Sequence, residues 1–142
     1  MRTKTLAVIA IAIATAFGCR SGSAPAEYTK FKSPDDVPRI TVEDAKREAD
    51  AGTAVIVDSR SEDAFQVEHI AGAINMPIGS SEDKLRSLPS DKKVIVYCSC
   101  GTEGTSMRLA FQLNQMGYPR TFALHGGTVA WHNAGYPMER NN

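Results

Sequence analysis

A concentrated Lys/Arg cluster is missing from the 142 residues, and 16 basic side chains are cancelled by 16 acidic ones. Binding driven by counterion release needs a basic surface, so the composition argues against a nucleic-acid partner. No apolar run reaches the roughly 20 residues that span a bilayer as a helix. The longest, Thr5 to Phe17, has 13 residues. No internal repeat is visible, and the length leaves no room for a two-domain enzyme. Cysteine is scarce as well: Cys19, Cys98 and Cys100 are the three present. An odd number cannot all be paired within the chain, so each thiol needs its own assignment.

The first 18 residues differ from the rest. Arg2 and Lys4 precede the apolar run, and Gly18-Cys19 follows it. A basic start, a short apolar stretch and a small residue at the cut make a secretory signal over residues 1–18. Ala16-Phe17-Gly18-Cys19 resembles the lipobox of bacterial lipoproteins, in which the cysteine is acylated and becomes the new N-terminus. Leu is usual where Ala16 stands. The alternative is cleavage after Ala14-Thr15-Ala16, which would leave the Cys19 thiol exposed in an oxidising compartment. The lipobox resemblance implies export to the periplasm and a membrane anchor on Cys19. Arg20 replaces the aspartate linked to inner-membrane retention, which is compatible with the outer membrane. Removing the signal takes two of the 16 basic residues and no acidic one, leaving 124 residues with a net charge of −2. Residues 19–38, rich in Ser, Gly, Ala and Pro, read as a flexible tether. A domain over 39–140 remains, enough for one modest core.

Strand and helix signals alternate along that domain. Thr41 followed by Asp44 opens a helix through Asp50, closed by Gly52. The apolar runs Ala54–Asp58 and Lys93–Tyr97 read as buried parallel strands. Ser61 caps a helix over Glu62–Val67, Ala73–Met76 can pair as a strand, and Ser81–Leu88 is helical up to Pro89. Gly104–Met116 carries apolar residues at Met107, Ala110, Phe111, Leu113 and Met116, an amphipathic helix ended by Gly117. Thr121–Leu124 is a last strand and Thr128–Asn133 a last helix bearing Trp131. Strands separated by helices predict an α/β sheet covered on both faces.

Ligands of such sheets bind where strands end and helices begin. The strand Lys93–Tyr97 runs directly into Cys98-Ser99-Cys100-Gly101-Thr102-Glu103-Gly104, and a long helix follows. Amide N–H groups at a helix start have no intrahelical partner and interact favourably with an anion such as a thiolate. Position alone leaves Cys98 open between a nucleophile and a small core residue.

Asp58-Ser59-Arg60, His69-Ile70-Ala71-Gly72-Ala73-Ile74-Asn75, Val94-Ile95-Val96-Tyr97-Cys98 and Leu124-His125-Gly126-Gly127, with Trp131, Gly135, Tyr136 and Pro137, resemble the motifs of a rhodanese-family domain, in order and spacing. The resemblance implies a mainly parallel five-stranded sheet between helices and a persulfide on Cys98. Sulfur would pass from a small sulfane donor to Cys98, then to a thiol, a protein thiol or a cyanide-like acceptor, in a ping-pong cycle. Backbone amides of Ser99, Cys100, Gly101, Thr102, Glu103 and Gly104 would cradle the anionic sulfur. Gly101 and Gly104 would give the loop its conformational freedom. No metal or organic cofactor is required, and a monomer suffices.

Two departures from the family pattern stand out. Many active members read Cys-x-x-Gly-x-Arg-Ser, and Glu103 occupies the arginine position. An acid facing a dianion would weaken its binding by about 1 to 4 kcal/mol at 4 Å in effective dielectrics of 80 to 20, predicting thiosulfate to be a poor donor. Glu103 also suits the first turn of a helix. Cys100 could attack a persulfide or sulfenate on Cys98 to make a strained disulfide, or simply fill the loop. A binding module without activity is the competing class. A phosphatase of related fold would need an arginine at the loop's end, and Gly104 and Ser106 stand in those places. The spacing of Cys98, Cys100, His125 and His132 matches no standard metal-ligand set. His69 and His125 read as packing and turn residues, His132 lies on the last helix, and Asp58 with Arg60 reads as a supporting ion pair.

Overall fold

The computed structural model describes residues 28–99 and 102–141. Residues 1–18, read from the sequence as a signal, and Cys19 lie outside them, as do Cys100 and Gly101. Seven strands are described: β1 (Arg39–Ile40), β2 (Ala54–Asp58), β3 (His69–Ile70), β4 (Ile74–Asn75), β5 (Lys93–Tyr97), β6 (Thr121–Leu124) and β7 (Met138–Glu139). Between them run α1 (Val42–Asp50), α2 (Glu62–Val67), α3 (Glu82–Arg86), α4 (Gly104–Gln115) and α5 (Gly127–Asn133). Five strands form one parallel sheet in the order β1-β6-β5-β2-β4. All their C-terminal ends therefore share one edge, and every strand-to-helix loop emerges there.

The side-chain alternation of β5 explains why its sequence is apolar throughout. Val94 and Val96 face a core shared with Leu85, Leu88, Met107, Leu109, Ala110 and Leu113. Ile95 and Tyr97 face the opposite core with Ala45, Ile56, Leu124 and Trp131. A strand buried on both faces has no polar side to show. Three helices start where a side chain replaces a missing intrahelical partner: Thr41 accepts from the Asp44 amide, Ser61 from that of Ala64 and Ser81 from that of Lys84. Each such cap contributes about 1 kcal/mol. Tyr118 joins α3 to the end of α4, its hydroxyl lying 3.1 and 3.0 Å from the Leu85 and Leu88 carbonyl oxygens.

The architecture is the α/β sandwich expected, with three differences of detail. First, residues 28–38 differ from the tether read from their composition. Val37 is buried and Phe31 packs on the core beside α4. The Phe31 amide donates to Asn114 Oδ1 at 2.9 Å, Gln115 Nε2 donates to the Phe31 carbonyl at 2.9 Å, and Tyr28 donates to the Asn114 carbonyl at 2.6 Å. A few spaced anchors suffice to seat a polar segment, and they leave no periodicity to read. Second, β3 and β7 form a small antiparallel sheet, with His69 opposite Glu139 and Ile70 opposite Met138. Third, β1 adds an edge strand beside β6. Pairs two residues long are too short for an alternation pattern to reveal.

Candidate active site

Cys98 is the first residue beyond β5, only 5% exposed. Its backbone is fixed from two sides. Ser59 donates through both its amide and its hydroxyl to the Tyr97 carbonyl, at 3.0 and 2.8 Å. From the other side, the Thr128 amide donates to the Cys98 carbonyl at 3.0 Å, and the Thr128 hydroxyl reaches the Ser99 carbonyl at 3.4 Å. This contact needs glycine at 127, where a Cβ would lie 2.1 Å from the Cys98 carbonyl oxygen. Gly127 has φ +54 and Gly126 φ +73, conformations that glycine adopts without strain.

The far end of the loop is held by a charged side chain. Glu103 caps α4 with φ +52, the one non-glycine residue at positive φ among those described. A non-glycine left-handed backbone costs on the order of 1 to 3 kcal/mol and persists where surrounding contacts determine it. Those contacts are present here. Glu103 is 2% exposed. Its Oε2 receives Arg39 Nε at 2.5 Å, and its Oε1 receives the Gly126 amide at 2.9 Å with His125 Nδ1 2.8 Å away. Burial pushes its carboxyl upward, but the Gly126 amide, Arg39 and His125 together outweigh that and hold it below the usual carboxylate range.

One turn into α4, Ser106 faces the thiol. Its Oγ lies 3.7 Å from Cys98 Sγ and 2.8 Å from the Glu103 carbonyl oxygen. The hydroxyl has one proton and two acceptors in reach, so it can turn toward the sulfur when charge appears there. The sulfur thus sits beside the first turn of a 12-residue helix, where backbone dipoles favour an anion.

Asp58, Arg60 and Tyr97 form a buried cluster at the same sheet edge. Asp58 pairs with Tyr97 in the β2–β5 register. Arg60 meets both Asp58 oxygens, with Nη2 at 2.6 Å from Oδ2 and Nε at 3.0 Å from each. Tyr97 donates to Asp58 Oδ2 at 2.5 Å and accepts from the Ile70 amide at 3.1 Å. Burial and the Asp58 charge push the Tyr97 hydroxyl well above its ordinary value. Burial alone would lower the Arg60 guanidinium, but its bonds to Asp58 more than offset this and raise it. Asp58 and Arg60 thus form a buried ion pair that also receives the Tyr97 hydroxyl.

Of the loop residues named as substrate contacts, Ser99 and Thr102 are exposed and Gly104 opens α4. Glu103 belongs to the loop, yet its carboxylate is committed to Arg39, His125 and Gly126. Sequence reasoning did not anticipate Arg39, Ser106 or the contact of His125 with Glu103. The Gly126-Gly127 pair is the one sequence signal that could have pointed to a close backbone approach after β6. His69 stacks on Phe65 at 3.8 Å and packs as expected. Next to the loop, a cleft of about 230 Å³ is lined by Glu68, Thr128, Val129, His132, Asn133 and Met138. Thr128 belongs both to this cleft and to the Cys98 backbone clamp. Among the described residues, no three His, Cys, Asp or Glu side chains gather as a metal site would require.

Known proteins resemble this chain along the same segment. The family model described as a rhodanese-like domain matches residues 41–134. A sulfurtransferase from Allochromatium vinosum is 30% identical over 94 residues, covering 66% of this chain and 86% of that protein. A thiosulfate sulfurtransferase from Coxiella burnetii is 31% identical over 77 residues, 54% of this chain and 70% of the relative. An HTH-type transcriptional regulator from Mycobacterium tuberculosis is 32% identical over 110 residues, but the chain spans only 46% of its length. Among solved structures, a rhodanese-related protein from Thermoplasma volcanium superposes with a TM-score of 0.62 at 27% identity, covering 72% of this chain and 97% of that one. A Bacillus halodurans protein superposes with a TM-score of 0.68 at 25% identity, covering 73% and 77%. With a family model matching residues 41–134 and a parallel five-stranded sheet flanked by helices, the chain belongs to the rhodanese-like family.

Proposed function

We propose that the domain is a sulfurtransferase that carries a sulfane sulfur as a persulfide on Cys98. The observation that supports this most is the setting of the thiol: a nearly buried Sγ at the start of α4 with the Ser106 hydroxyl 3.7 Å away. A thiolate there attacks the outer sulfur of a donor, the donor's remainder leaves, and the anionic terminal sulfur is held by loop amides and the helix start. A nucleophilic acceptor then removes that sulfur and restores the thiolate. Metal and organic cofactors have no step to perform in this cycle.

The identity of residue 103 bears on the donor in a way the sequence alone misstated. An acid facing the donor would repel dianions directly, but both Glu103 oxygens are occupied by Arg39, His125 and the Gly126 amide. The preference therefore rests on a missing attraction. Residues 98–104 contain no Arg or Lys to hold a second negative charge. Losing one such contact costs about 1.4 kcal/mol or more, a factor of ten. Turnover of the signal-free protein with thiosulfate is accordingly expected to show a kcat/KM at least about tenfold below that with a monoanionic organic persulfide. Equal or faster turnover with thiosulfate would contradict this donor class.

A binding role without turnover is favoured by one observation, the similarity to a transcriptional regulator. Failure of Cys98 to accept sulfur from any donor would support that role. A redox exchange between Cys98 and Cys100 is a further proposal resting on the sequence. For localisation, we propose export and acylation of Cys19, with the domain facing the periplasm. Fatty-acid labelling of the full chain should be lost in Cys19→Ser; unchanged labelling would refute the anchor.

A further inference from the structure

One histidine at the site has no part in the cycle described so far. His125 follows β6 directly, as Cys98 follows β5. The two strands are paired, with Val94 opposite Thr121, Ile95 opposite Phe122 and Val96 opposite Ala123. Beyond the last pair the two segments stay close, since the Thr128 amide meets the Cys98 carbonyl at 3.0 Å, so the turn that begins with His125 lies against Cys98. The His125 amide is bound to the Ile40 carbonyl at 2.9 Å, which fixes the backbone there. Its ring is anchored through Nδ1 to Glu103 Oε1 at 2.8 Å, yet the side chain is 69% exposed. With Nδ1 donating to the carboxylate in a ring this exposed, Nε2 is the nitrogen available to exchange a proton. A carboxylate behind one ring nitrogen fixes the tautomer and orientation of the other. Glu103 is suited to that work because Arg39 and the Gly126 amide keep it ionised and still.

We infer that His125, oriented by Glu103, is a catalytic residue that carries the proton in sulfur exchange between thiols. The inference rests on the sulfurtransferase reading and extends it to the substrate class: both donor and acceptor are thiol-derived. In unloading, Nε2 takes the proton of an acceptor R–SH while its sulfur attacks the outer sulfur of Cys98–S–S⁻. The S–S bond to Cys98 breaks, its electron pair stays on Sγ, and R–S–S⁻ leaves. In loading, Cys98–S⁻ attacks the outer sulfur of R′–S–S⁻, and the imidazolium returns the proton to the departing thiolate, giving R′–SH. The cycle exchanges one sulfur between two thiols and needs no external oxidant or reductant. Among the described residues, the charged groups facing the imidazole are Glu103 at the start of α4 and Arg39 from β1, which binds the same carboxylate, while the Cys98 thiol lies just past the end of β5.

The test separates proton transfer from mere architecture by changing the acceptor. A small thiol must lose a proton to accept sulfur, whereas a neutral water-soluble tertiary phosphine has none to lose. His125→Gln keeps an N–H able to reach Glu103 but cannot carry a proton. Cys98 is first loaded with an organic persulfide, and unloading to each acceptor is then timed at neutral pH. Relative to the unaltered protein, the ratio of thiol to phosphine rates is expected to fall at least about 100-fold in His125→Gln, the lower end of the usual range for general acid–base catalysis. Added imidazole should restore part of it. A ratio within about threefold of the original, or equal loss with both acceptors and no rescue, would overturn the role of His125. Failure of Cys98 to load at all would instead count against the sulfurtransferase reading beneath it.

Discussion

Cys98→Ser is expected to reduce persulfide-to-thiol turnover to the background of the assay, a loss of at least about 10⁴-fold, by analogy with removal of other enzymes' nucleophiles. A serine oxygen at this place is protonated at neutral pH and forms no stable bond to sulfane sulfur, so neither half of the cycle survives. The substitution changes one atom of a buried side chain that meets the Ser106 hydroxyl, on a backbone held by Ser59 at the Tyr97 carbonyl and by Thr128 at the Cys98 carbonyl. The fold should therefore persist, and thermal unfolding of the variant within a few degrees of the parent would show that the loss is chemical. Retained turnover in a folded Cys98→Ser protein would move the nucleophile elsewhere.

Asp58→Ala is expected to be the most damaging single change to stability. Asp58 is fully buried. Its carboxylate balances Arg60 and receives the Tyr97 hydroxyl, while its backbone carbonyl accepts from Asn75 Nδ2 at 3.3 Å. Removing it leaves a largely buried guanidinium and a buried phenol without their acceptor. Breaking a buried pair by deleting one partner costs about 3–5 kcal/mol. At about 4–8 °C per kcal/mol for a domain of this size, Tm should fall by more than about 12 °C in calorimetry. Tyr97→Phe, which removes one hydroxyl and leaves the ion pair, should lose about 1–3 kcal/mol. A loss below about 1 kcal/mol for Asp58→Ala would mean that the cluster is solvated after all. The cluster also reaches the cleft beside the loop, because Arg60 Nη2 holds the Glu68 carbonyl at 2.7 Å. Its loss should therefore disturb the site as well as the core.

How much of this was readable beforehand follows from the range of each interaction. Strands β2, β5 and β6 were read with their observed bounds, since burial on both faces writes an uninterrupted apolar run. Helices α1 and α2 were legible for a local reason, a capping side chain bonded three residues ahead. Cys98 could be singled out because strand end, loop and helix start are consecutive in the chain. By contrast, Arg39 and Glu103 are 64 residues apart, and His125 and Glu103 are 22 apart. No local pattern announces such partners. Glu103 illustrates the consequence. Its residue type suggested a charge facing the donor, whereas its partners show a carboxylate that pins the loop to β1 and to the turn after β6. The anchoring of residues 28–38 was hidden in the same way, since Tyr28, Phe31 and Val37 meet α4 or the core far along the chain.

Mass spectrometry of the protein lacking residues 1–18, after exposure to an organic persulfide, shows which cysteine carries the sulfur. A persulfide on Cys98 predicts one added sulfur on the peptide containing it, retained in Cys100→Ser and absent in Cys98→Ser. An adduct that survives Cys98→Ser and disappears with Cys100→Ser would contradict it.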